Sequence, residues 1–231
     1  MHLQRSFVLT ATTIVFDLDG TLIDTAPDLV ESLNHTIAAR DLTPVSYEDL
    51  THLVGQGARV MIQRAFALRG APLAEDEIPA LLDRFIAHYE AGMPGKSKPY
   101  PGLVEALDRL KAAGYKMAVC TNKMERLAIP LLERLDLTRY FSAIAGGDTF
   151  AFRKPDPAHI LATAELAVGR AGKILMIGDS VNDILAARNG DIPSIAVPFG
   201  YSDVPVETLG ASHVIGHFDE LTVALVETLT R

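Results

Sequence analysis

The order of apolar runs predicts an α/β fold: a parallel sheet covered by helices, with a small helical domain inserted after the first strand. Three observations carry this. Short β-branched runs at 13–16, 116–120, 174–177 and 194–197 alternate with helical stretches. Between two breaks in texture, near 24–27 and across 94–101, apolar residues recur only at spacings of three and four, over 28–40, 57–69 and 75–90, with no convincing strand. The length, 231 residues, falls between one domain and two at roughly 150 residues each. The division expected is therefore a sheet domain from 1–24 and 97–231, and a helical domain from 25–96.

The first run, Ile14-Val15-Phe16, is followed by Asp17-Leu18-Asp19-Gly20-Thr21. In a sheet of this kind the ligand crevice lies at the carboxyl ends of the strands, so these carboxylates are candidate chemistry. On extended backbone they point to one side, roughly 6.6 Å apart, with room for a metal or a substrate group between them. The bland alternative, two turn residues before a glycine, carries equal weight for this pair alone. The second break, Pro94-Gly95-Lys96-Ser97-Lys98-Pro99-Tyr100-Pro101-Gly102, reads as a stiff connector that closes off the insertion. Within the insertion, Gly55-Gln56-Gly57 lacks the third glycine and the preceding strand of a dinucleotide fingerprint and reads as the start of a helix.

Two further strand ends offer groups that a phosphate needs: Thr121-Asn122-Lys123 after the run at 116–120, and Lys154 at the corner Arg153-Lys154-Pro155-Asp156-Pro157. Alone, each is more simply a turn or a solvated charge. The run at 174–177 ends in Gly178-Asp179-Ser180-Val181-Asn182-Asp183, where Asp179 and Asp183 can share a face of a following helix. Four aspartates at two strand ends exceed what capping requires. Clustered carboxylates repel unless a cation sits among them, and hard oxygen ligands suit Mg²⁺.

Composition narrows the function class. Apolar residues make up 48% and charged residues 22% of the chain, and no apolar run approaches the ~18 residues of a membrane span. Lysine and arginine number 21 against 29 aspartates and glutamates, a net charge of −8, which disfavours bulk electrostatic capture of nucleic acid or of an anionic membrane. The lone Cys120 cannot form an intramolecular disulfide, and residues 1–10 lack the apolar core of a secretory signal. Both point to a reducing cytosol. Cys120 itself reads as a core thiol. Monomer and homodimer both remain open.

Taken in order, Asp17-Leu18-Asp19-Gly20-Thr21, Thr121-Asn122, Lys154-Pro155 and Gly178-Asp179-Ser180-Val181-Asn182-Asp183 resemble the four motifs of the haloacid dehalogenase superfamily. The resemblance spans nearly the whole chain and implies a Rossmann-like sheet with a small helical cap. It implies Asp17 as nucleophile, Asp19 as general acid and base, and Lys154 beside the transferring group. It further implies Mg²⁺ held by Asp17, Asp179 and the Asp19 backbone carbonyl, supported by Asp183, Gly178 and Ser180. Thr121, Asn122 and Gly20 would bind phosphate, and Arg59 in the cap would meet a substrate carboxylate or else be an exposed helix charge. Within the superfamily, Val54-Gly55-Gln56-Gly57-Ala58, Tyr100-Pro101-Gly102 and Gly146-Gly147-Asp148-Thr149 are similar to phosphoglycolate phosphatases. Relatives acting on N-acetylmuramate 6-phosphate, other sugar phosphates or pyrophosphate share this phrasing. A dehalogenase typically lacks the second carboxylate, here Asp19, and a phosphonate hydrolase needs a cap lysine, whereas residues 26–92 contain none. A phosphomutase and a non-catalytic binding module remain as alternatives.

Overall fold

The computed structural model describes residues 12–50, 53–170 and 172–231; the reading of residues 1–10 lies outside them. The chain runs through β1 (Thr13–Phe16) and the short β2 (Ile23–Asp24) into helices α1 (Ala26–Ile37), α2 (Tyr47–Leu50), α3 (Ala58–Leu68) and α4 (Ile78–Gly92). It returns through β3 (Lys98–Pro99), then α5 (Leu103–Ala112), β4 (Lys116–Cys120), α6 (Glu125–Arg134), β5 (Ala143–Ala145), α7 (Pro157–Val168), β6 (Ile174–Gly178), α8 (Val181–Asn189), β7 (Ser194–Ala196), β8 (His213–Val214) and α9 (Val223–Leu229).

Among the described residues the main sheet has the order β5-β4-β1-β6-β7-β8, and every neighbouring pair is parallel. β1 is central and buried throughout. Successive side chains alternate between faces. Ile14, Phe16, Leu175 and Ile177 join a core with Leu103, Leu107 and Leu110 of α5, while Val15, Cys120 and Met176 pack with Ile160 and Ala164 of α7 and Ala186 and Ala187 of α8. Cys120 is thus a core thiol, its pKa pushed up to about 12 by burial.

The helices between β2 and β3 bury Leu29, Leu33 and Ile37 of α1, Met61, Ile62, Ala65 and Phe66 of α3, and Phe85, Ile86 and Tyr89 of α4. The expected helix over 28–40 starts earlier, at Ala26 with Pro27 in its first turn, and its last residues tighten into a 3-10 turn. The one expected over 75–90 slides to Ile78–Gly92, again with a proline in its first turn. Gly57 caps α3, as its sequence context suggests. The two breaks in texture are not loose linkers. β2 and β3 pair antiparallel there, and Asp28 of α1 accepts hydrogen bonds from the backbone N–H groups of Lys96 and Ser97 at 2.9 and 2.8 Å. Among the described residues, no helix is long and apolar enough to cross a membrane.

Candidate active site

β1 lies where the sheet order reverses, with β4 on one side and β6 on the other, so the loops after these strands open a crevice. Asp17 follows β1 directly, and its N–H extends the ladder to the Ile177 carbonyl at 2.9 Å. The chain then turns tightly, the Leu18 carbonyl accepting from the N–H groups of Leu22 and Ile23, both at 3.0 Å. Gly20 makes this turn at φ +84°, and a Cβ there would lie 2.4 Å from Asp179 Oδ2, so both conformation and space demand glycine.

The strand stops at Phe16, yet Asp17 and Asp19 both line one cavity. The carboxylates that converge are Asp17, Asp179 and Asp183, with ligand atoms all within 4.8 Å of one another. The Asp19 carboxylate instead accepts from Thr25 Oγ1 at 2.7 Å and pairs with Lys123 Nζ at 3.0 Å.

β6 positions the other two acids. Asp179 Oδ1 accepts from Thr21 Oγ1 at 2.9 Å, and Oδ2 from the Tyr201 N–H at 2.7 Å. Asp183, in the first turn of α8, forms a capping box with Ser180: its Oδ2 accepts from the Ser180 N–H at 3.0 Å and hydroxyl at 2.6 Å. Gly178 has no room for a Cβ, which would lie 2.3 Å from that of Asp183. Gly178 and Ser180 therefore act by setting the position of Asp183.

Lys154 is buried among these groups. Its Nζ lies 2.8 Å from Asp17 Oδ1 and 2.6 Å from Asp183 Oδ1, and donates to the Cys120 carbonyl at 2.5 Å. Burial opposes its charge, but Asp17 and Asp183 more than offset this and hold the ammonium above its ordinary pKa. The acids remain crowded. Burial first, then Asp183, pushes Asp17 up to about 7 against the pull of Lys154. Burial, Asp183 and Asp17 raise Asp179 well above its ordinary value.

The loop after β4 carries the remaining donors. The Thr121 hydroxyl accepts from the Lys123 N–H at 3.1 Å, which leaves its own hydrogen free to donate. Asn122 uses its side-chain NH₂ on the carbonyls of Gly55 and Lys154, at 3.1 and 3.0 Å. It therefore ties the loop before α3 to the corner that carries Lys154, and a phosphate contact from this residue falls to its main-chain N–H. Arg59 is not brought to the site: it pairs with the exposed Glu75 on the outer side of α3.

Two residues have roles that sequence reasoning does not assign. Lys123 is buried between Asp19 and the face of the Tyr89 ring, 4.3 Å from its centroid. Burial lowers its pKa, while Asp19 and Tyr89 more than restore it. The Tyr201 hydroxyl donates to Asp24 Oδ1 at 2.8 Å and accepts from the Ala26 N–H at 2.8 Å, joining the Asp179 loop to the start of α1. Only Lys123 had a sequence signal, its place after Thr121-Asn122 at a strand end. These groups line a cavity of about 50 Å³, walled opposite the acids by Leu29, Val54, Met61 and Phe85.

The chain belongs to a known family: residues 14–197 match the model of the haloacid dehalogenase-like hydrolases. Two relatives named phosphoglycolate phosphatase are particularly similar. That of Agrobacterium fabrum is 65% identical over 93% of this chain and 92% of its own. That of Mesorhizobium japonicum is 55% identical over 94% and 96%. A crystal structure of a predicted phosphoglycolate phosphatase from Haemophilus somnus 129pt superposes with a TM-score of 0.86 at 31% identity, covering 96% of this chain and 99% of the other.

Proposed function

We propose that this chain is a Mg²⁺-dependent phosphatase that hydrolyses 2-phosphoglycolate to glycolate and phosphate through an aspartyl-phosphate. The observation that carries the reaction type is Asp17 at the focus of Asp179, Asp183 and Lys154. The names of the relatives support the substrate. The donor set fits Mg²⁺: all the groups are hard carboxylates. In addition, three buried carboxylates, Asp17, Asp179 and Asp183, converge within 4.8 Å around a single ammonium, Lys154, so negative charge is left over that calls for a further cation. Asp17, Asp179 and the Asp19 main-chain carbonyl would hold the ion, with Asp183 beside it. Bound there, Mg²⁺ supplies positive charge that offsets the repulsion between the nucleophile and a phosphate dianion.

The chain's own groups do the rest. Asp17 attacks phosphorus in line, and the bond from phosphorus to the ester oxygen breaks. Asp19 gives its proton to the departing glycolate oxygen, then takes one from the water that attacks the aspartyl-phosphate. The acyl-phosphate bond breaks, phosphate leaves and the Asp17 carboxylate is restored. Lys154, with the Thr121 hydroxyl and the Asn122 N–H, steadies the phosphoryl oxygens. Residues 25–96 serve as a cap that opens to admit substrate and closes to exclude water. The lone buried Cys120 supports a cytosolic setting.

Phosphate release from 2-phosphoglycolate, sugar phosphates, pyrophosphate and p-nitrophenyl phosphate, with Mg²⁺ or EDTA, tests this reading. The expected outcome is Mg²⁺-dependent turnover with preference for 2-phosphoglycolate, abolished in Asp17→Asn. Turnover that persists in EDTA, or that prefers a sugar phosphate, overturns it.

A further inference from the structure

We infer that Lys123 is the specificity-determining residue of this site, its ammonium receiving a carboxylate on the leaving portion of the substrate; this rests on the phosphatase reading above. Lysine is costly to bury, and the Lys123 side chain is only 4% exposed. Its present partners are one carboxylate and one aromatic face: Asp19 Oδ1 and Oδ2 at 3.0 and 3.3 Å, and the Tyr89 ring at 4.3 Å. An ammonium has three N–H donors, and Asp19 occupies at most two. The third lies against the neutral Tyr89 hydroxyl, a partner that an anion entering the cavity lined by Lys123 would outcompete.

The charges lining the cavity assign that donor an occupant. They are Asp17, Asp19, Asp179, Asp183, Lys123 and Lys154. Lys154 is committed to Asp17, Asp183 and the Cys120 carbonyl, beside the phosphoryl position. Among the described residues that line the cavity, a second anion on the substrate therefore has one cation to meet, Lys123. The distance is right as well. Asp19 is placed to protonate the ester oxygen, and in 2-phosphoglycolate the carboxylate carbon lies two bonds beyond that oxygen. An ammonium 3.0 Å from Asp19 is within reach of both groups. The apolar wall of Leu29, Met61 and Phe85 keeps water away, which strengthens an ion pair formed there.

The test compares 2-phosphoglycolate with ethyl phosphate, similar in size but without the carboxylate, in Mg²⁺ buffer. In Lys123→Met the ratio of kcat/KM values for the two is expected to fall about 100-fold, chiefly through KM for 2-phosphoglycolate, with Lys123→Arg recovering part of it. A ratio within about threefold of the parent, even if both rates fall, overturns the inference, because Lys123 then acts only through Asp19. A parent enzyme that hydrolyses other esters but not 2-phosphoglycolate overturns the substrate reading, and this inference with it. Should Lys123→Met fail to fold around an unpaired Asp19, calorimetric binding in an Asp19→Asn background decides. Adding Lys123→Met there should weaken 2-phosphoglycolate about 100-fold and ethyl phosphate little; equal loss for both overturns the inference.

Discussion

The two walls of the cavity are built on opposite plans. The sheet wall holds Asp17, Asp179, Asp183 and Lys154, each pinned by at least one partner from another strand end. The helical wall offers Leu29, Val54, Met61 and Phe85, whose contacts are shape alone. Charge on one wall fixes what happens at phosphorus, and shape on the other fixes which leaving group fits. Lys123 is where the plans meet, a sheet-loop cation resting on Tyr89 of a helix. Substitutions on the sheet wall should therefore change chemistry, and those on the helical wall selection.

The largest expected effect is that of Asp17→Asn. Removing the nucleophile should lower kcat by about 10³-fold or more, while the metal-free protein should melt no lower, since one of three crowded carboxylates is gone. Thermal melts beside phosphate-release rates check both halves, and retained turnover would break the division between the walls.

Next is Lys154→Met. Two buried carboxylates would lose the ammonium that compensates them, a loss that typically costs about 3–5 kcal/mol. Chemical denaturation should show it, together with loss of turnover. A variant of normal stability would mean that the acids neutralise one another by sharing protons.

Proton linkage gives a third, smaller effect. Asp17 sits near 7 in the folded protein against 3.8 ordinarily, so between those values the folded state binds more protons than the unfolded one. Metal-free stability should fall as pH rises through that window. Mg²⁺ competes for the same site, so its affinity should climb toward pH 7, by as much as about tenfold per pH unit. Calorimetric titration at pH 5, 6 and 7 checks the slope; a flat series would place the proton elsewhere.

On the helical wall, Ala58→Leu should crowd the cavity beside Met61. The expected result is a KM for 2-phosphoglycolate raised about tenfold with kcat nearly intact. An equal loss in kcat would show that this wall also positions the phosphoryl group.

The walls also differ in how far the sequence discloses them. Asp17, Lys154, Asp179 and Asp183 are legible only as a set, since each alone reads equally well as a turn, a cap or a solvated charge, and the β-branched runs disclose β1, β4, β6 and β7. The short β5, built from Ala143, Ile144 and Ala145, and β8, only His213 and Val214, have too few residues for alternation to show. The pairing of β2 with β3 joins residues about 75 apart and leaves no local trace. Lys123 is the instructive miss. Its place after Thr121-Asn122 marks it as a strand-end residue, but its neighbours Asp19 and Tyr89 are 104 and 34 residues away, so the sequence does not disclose what its charge meets. Asn122 is half legible: its position is right, but its amide is spent on Gly55 and Lys154.

Arg59→Ala should have the smallest effect, and it separates the two ways a helical-wall cation could act. From sequence, Arg59 is the residue expected to meet a substrate carboxylate; the structure puts Lys123 in the cavity instead. In the structure, Arg59 is about half exposed and bound to Glu75, an ion pair of the kind worth about 0–1 kcal/mol. To reach the cavity it would have to leave that partner and pass around the first turn of α3. Lys123 need not move. Arg59→Ala should therefore change kcat/KM for 2-phosphoglycolate by less than about threefold, while shifting the melting temperature slightly if at all. A loss confined to 2-phosphoglycolate and absent with ethyl phosphate would mean that the cap rearranges on closing and carries Arg59 inward. The division between a charged sheet wall and an apolar helical wall would then describe only the substrate-free protein.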